Sequence, residues 1–146
     1  MELKMTKEVM VTIDGLQPGD DESLVSVTVP GIWHYRDGIH YIRYEEEAED
    51  VGIIKNLLKL TPQKIEIKKA GIQSARMVFD TAEPTQACYH TPYGDLLLQI
   101  KTTGLVFAES PEEILATLYY TLSSDESHIS DNQTTIRVRG LPVKQV

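Results

Sequence analysis

Few residues in this chain could do chemistry. Its four histidines, His34, His40, His90 and His128, are spread along the sequence without the spacing of metal ligands, and each reads first as a surface or hydrogen-bonded structural residue. The single cysteine, Cys88, lies in a strand-like run over residues 86–91. It reads as a small buried thiol, with a reactive nucleophile as the lesser alternative. There is no G-x-S-x-G, P-loop, H-E-x-x-H or C-x-x-C pattern, so no catalytic residue, cofactor or metal ligand is assigned. The acidic run from Glu45 to Asp50 has the composition of a hard-cation site, but carboxylates that alternate along a strand point to opposite faces. It reads as a solvated strand end. Between Lys55 and Arg76 the balance reverses: Lys55, Lys59, Lys64, Lys68 and Arg76 form a candidate basic surface patch, with Lys69 beside them and Glu66 the one acid.

The elements that must position these residues follow from the segment Trp33 to Glu47. Two runs rich in aromatic and β-branched residues flank Asp37-Gly38, a dipeptide that takes the positive φ angles of a type I′ hairpin. The turn fixes the register. Arg36 faces Ile39, Tyr35 faces His40, His34 faces Tyr41 and Trp33 faces Ile42, which puts Trp33, Tyr35, His40, Ile42 and Tyr44 on one face. His34 and His40 fall on opposite faces, so they cannot share a metal.

Period-two alternation continues along most of the chain, broken by Gly, Pro or Asp about every ten residues. Strands are predicted over residues 7–14, 23–36, 39–47, 52–60, 64–70, 73–80, 86–91, 95–107, 114–123 and 134–139. Two segments carry competing helical signals: Ser110-Pro111-Glu112-Glu113 resembles a helix N-terminus, and Ile53, Ile54, Leu57 and Leu58 make a helical stripe. In both, the strand reading is preferred. Pro30-Gly31 predicts a bend or bulge within the long second strand. No repeat or linker divides residues 1–146, so they are read as one domain.

At this length a chain buries roughly 70% of its unfolded surface and needs no disulfide. The net charge of −8 disfavours nucleic acid as a partner. No run approaches the ~20 apolar residues of a membrane span, and the first residues lack a signal-peptide core, which points to the cytoplasm.

Several motifs together resemble the YwiB-like family of uncharacterised bacterial proteins: Tyr44-Glu45-Glu46, Arg76-Met77-Val78-Phe79, Tyr89-His90-Thr91-Pro92-Tyr93-Gly94, Thr102-Thr103-Gly104-Leu105, Tyr120-Thr121-Leu122 and the strand from Asn132 to Val138. The resemblance implies an all-β fold, a single antiparallel calycin-like or lipocalin-like β-barrel of roughly eight to ten strands, with no catalytic or ligand residues to carry over. Gly31-Ile32-Trp33 echoes the G-x-W of lipocalins, with Arg137 or Arg139 available to pack over the tryptophan.

A small barrel can be packed or can hold one small molecule. The first functional expectation is therefore an apolar or amphipathic ligand in the lumen, among Trp33, Tyr35, His40, Tyr44, Met77, Phe79 and Tyr120. The alternative is a protein-interaction module or homodimer with a packed interior and its contacts on the outer sheet.

Overall fold

The computed structural model describes residues 5–15, 26–48, 52–71, 74–125 and 127–141. Ten strands follow one another: β1 (Met5–Asp14), β2 (Ser26–Arg36), β3 (Ile39–Ala48), β4 (Gly52–Leu60), β5 (Lys64–Ala70), β6 (Ser74–Asp80), β7 (Thr85–Thr91), β8 (Gly94–Glu109), β9 (Glu113–Ser124) and β10 (Ser127–Gly140). Each pairs antiparallel with its sequence neighbours, and β1 pairs with β10, closing the sheet into a barrel. The described residues contain no helix, so none is long and apolar enough to cross a membrane.

The β2–β3 hairpin has the register that its sequence predicts, from Arg36↔Ile39 to Trp33↔Ile42. Both turn residues have positive φ, 54° at Asp37 and 79° at Gly38, as a type I′ turn requires. The helix-like Ser110 segment is instead the β8–β9 turn. Its capping chemistry survives there: the Ser110 hydroxyl accepts hydrogen bonds from the backbone N–H groups of Glu112 and Glu113, at 3.3 and 3.1 Å. Residues 52–60 form a strand rather than a helix, with Asn56, Leu58 and Leu60 turned inward and buried.

Strand β10 begins well before the predicted residue 134, because the polar run from Ser127 to Gln133 pairs with β9 without an apolar alternation to reveal it. In β8 the register slips between Thr102 and Gly104. Before this bulge the even-numbered Leu98 and Ile100 are buried; after it Leu105 and Phe107 pack on the core while Val106 is 63% exposed. One extra residue thus exchanges the faces of the rest of the strand.

The interior is packed. Val11, Ile42, Leu58, Ile65, Phe79, Leu118 and Ile136 are all 0% exposed, so no water-sized space touches them.

Candidate functional site

All seven residues expected to line a lumen face inward, but they pack against their neighbours and divide between two regions. Trp33, Tyr35 and His40 gather near the barrel end that carries the Asp37-Gly38 turn. Phe79 meets Tyr120 edge to face at 4.7 Å, and Met77 accepts a hydrogen bond from the Tyr89 hydroxyl at 3.1 Å.

His40 is 5% exposed. Its Nδ1 receives the Trp33 indole N–H at 3.0 Å, and its Nε2 bonds the Glu109 carboxylate. Because an indole N–H only donates, Nδ1 must present its lone pair, so the proton sits on Nε2 and is donated to Glu109. Glu109 is brought inward by the β8 bulge. The cation over Trp33 differs from expectation: Lys7 lies 4.4 Å from the ring centroid, whereas Arg137 and Arg139 bridge to Glu113 at 3.3 and 3.6 Å.

Tyr44 belongs to the second region. Its neighbours on inward positions are polar: Lys69 donates to the Asn56 side chain at 2.9 Å and lies 3.5 Å from Glu46. Asn56 was not singled out from the sequence and Lys69 was grouped beside the basic surface patch, although Lys69 shares its face with Ile65 and Ile67, and Asn56 with Leu58 and Leu60. That shared parity is the signal that marks them. The Tyr44 hydroxyl is buried and has no hydrogen-bond partner among the described residues, and neither has that of Thr102. Burial, and then the charge of Glu46, raise the Tyr44 pKa well above the ordinary tyrosine value.

A cleft reaches this region through the barrel wall. Strands β2 and β3 pair only from Gly31↔Tyr44 to the hairpin turn; Ser26–Pro30 pairs only with β1, and Glu45–Ala48 only with β4. Pro30 has no N–H to offer a neighbour, and Gly31 allows a close approach: a Cβ there would lie 2.8 Å from the Arg43 carbonyl oxygen. Where the strands part, a cavity of about 1110 Å³ opens. Pro30, Ile32, Ile53, Leu57 and Leu141 supply its apolar lining, and Tyr44, Glu46 and Asn56 border it from the inward-facing side. Three bases, Arg43, Lys55 and Lys68, and three acids, Glu8, Glu45 and Glu47, complete it.

Of the five predicted basic-patch residues, Lys55 and Lys68 line this cleft. The others, Lys59, Lys64 and Arg76, also lie on the outer faces of β4 to β6 but apart from it. Half-buried Glu66 sits at their centre, 2.9 Å from Arg76 and 3.8 Å from Lys68. Burial would raise its pKa, but the Arg76 hydrogen bond and charge, with Lys59 and Lys68, outweigh this and lower it. The patch is partly neutralised from within.

The match to known families is consistent with this architecture. Residues 11–136 match a domain of unknown function, DUF1934. The chain belongs to that family. Among solved structures, the ywiB protein of Bacillus subtilis is similar over 95% of this chain and 94% of its own, with a TM-score of 0.74 and 19% identity, which shows a shared fold. No curated protein matches. The family placement agrees with the resemblance read from the sequence motifs and assigns this DUF1934 member no activity.

Proposed function

We propose that the protein binds one small amphipathic molecule in the cleft between β2 and β3. The observation that carries this reading is the buried, unpartnered Tyr44 hydroxyl beside a cavity of about 1110 Å³. Binding cavities for small molecules typically run to roughly 300–1,000 Å³ and combine apolar walls with a few polar anchors. The apolar part of the ligand would contact Ile32, Ile53 and Leu57, and its polar group would meet Tyr44, Asn56 and Glu46. This revises the lumen expectation: of the seven residues, Tyr44 alone borders the cleft.

The test is titration with the neutral fluorescent amphiphile N-phenyl-1-naphthylamine. Saturable binding of one molecule per chain is expected, weakened about tenfold or more by Ile53→Glu, which places a charge on the apolar wall. Tyr44→Phe should weaken it less. Absence of a saturable site, or the same affinity in both variants, would overturn the reading. The balanced rim of three acids and three bases favours a second one, docking of another protein or a second copy of this chain. Sedimentation showing a dimer that Ile53→Glu dissociates would favour it over the small ligand.

A further inference from the structure

A second cluster lies on β7 and β8, away from the cleft. Cys88 and His90 are two residues apart on β7 and therefore share its outer face. The Cys88 sulfur lies 3.7 Å from His90 Nε2, and His90 Nδ1 lies 2.7 Å from the Asp95 carboxylate. His90 and Asp95 are direct partners across the β7–β8 hairpin, so the sheet register itself brings them together. An ionised carboxylate only accepts, which places the imidazole proton on Nδ1 and leaves the Nε2 lone pair for the thiol. Nucleophile, base and orienting acid stand in the order that activates a thiol.

The neighbours suit the same chemistry. Arg76 is the direct partner of Cys88 on β6, and Leu97, 57% exposed, is its partner on β8. Arg76 is itself paired with Glu66, Leu97 adds apolar surface on the β8 side, and the sulfur is half-buried rather than enclosed. Acyl transfer would need preorganised donors around an oxyanion. Thiol–disulfide exchange needs only in-line access to one sulfur and a route for one proton.

We propose that Cys88, His90 and Asp95 form an exchange site for small disulfides. His90 Nε2 takes the thiol proton as the Cys88 sulfur attacks one sulfur of a disulfide R–S–S–R′. The S–S bond breaks, the Cys88–S–S–R bond forms, and R′S⁻ leaves with the bonding pair and receives the proton from His90. Cys88 is oxidised and R′ leaves as its thiol. Asp95 acts as a positioning residue that holds the imidazole tautomer. None of this depends on the cleft.

The experiment follows the reaction of the full chain with 2,2′-dithiodipyridine near neutral pH, beside the same chain unfolded in urea and the variants Cys88→Ser, His90→Gln and Asp95→Asn. His90 and Asp95 are exposed, and matching circular dichroism spectra would establish that the variants fold. One mixed disulfide per chain, absent in Cys88→Ser, is expected. The folded rate should exceed the unfolded rate by roughly tenfold, the scale of modest general-base assistance. His90→Gln should remove that excess and Asp95→Asn part of it. A folded rate no higher than the unfolded one, or a His90→Gln variant as fast as the native chain, would overturn the proposal.

Discussion

The two polar regions inside this barrel are built on opposite principles. Around His40 the polar groups are matched: the Trp33 N–H has an acceptor, both imidazole nitrogens are engaged, and Glu109 receives the proton. Around Tyr44 the matching is incomplete, with its own buried hydroxyl left over although Lys69, Asn56 and Glu46 satisfy one another. A buried polar network that is fully paired helps to specify one packing, whereas an unpaired group costs roughly 1–3 kcal/mol of desolvation. The difference separates an end built for stability from a flank that tolerates a cost beside a cavity.

The largest test of this contrast is His40→Leu. It would fill similar space but leave the Trp33 N–H buried without an acceptor, and a loss of about 2 kcal/mol or more is expected from urea unfolding. An unchanged midpoint and m-value would show that the His40 network contributes nothing to the fold. Tyr44→Phe should act with the opposite sign. Removing an unpaired buried hydroxyl should stabilise the ligand-free protein by up to about 1 kcal/mol, even as it weakens binding in the cleft. If Tyr44→Phe destabilises the protein, its hydroxyl has a partner and the contrast fails.

The smallest effect is silent at neutral pH and emerges in alkali. Burial raises the pKa of Tyr44, Tyr89 and Tyr120; for Tyr89, with a further contribution from Tyr120, it is pushed up to about 12. A raised folded pKa favours the neutral phenol in the native state. The associated stability is complete below the unfolded tyrosine value near ~10 and is lost as pH rises from there through the folded value. Stability should therefore fall in alkali, with three of the seven tyrosines ionising late by ultraviolet absorbance. Ordinary ionisation of all seven would contradict the burial of these rings.

The two regions were unequally legible in the sequence. The hairpin that sets the His40 face could be read because Asp37-Gly38 allows little choice of turn, and every pair counted from it is observed. Glu109 could not be found, because the alternation beginning at Leu98 and Ile100 places it outside unless the bulge at Thr102–Gly104 is known. Ten strands were predicted and ten are present among the described residues, but the polar start of β10 had no apolar rhythm to reveal it. Proximity between strands was harder still. Cys88 and His90 declare a common face by spacing alone, yet the reach from His90 to Asp95 follows only from how tightly Pro92 and Tyr93 turn the chain. The parting of β2 from β3 had a visible cause in Pro30-Gly31, which predicts a bend without predicting a cleft.

The β1–β10 ladder has a consequence for how this chain comes to be folded. Nine of the ten strand pairings join neighbours in sequence, so hairpins can form locally as the polypeptide emerges from the ribosome. The tenth joins Val9 to Gly140 across almost the whole length. Until β10 has been synthesised, one edge of β1 has no partner, and the nascent sheet carries an open border able to pair with other chains. Closure is then a single late event, and truncation within β10 should leave a sticky, unfinished sheet rather than a slightly smaller barrel.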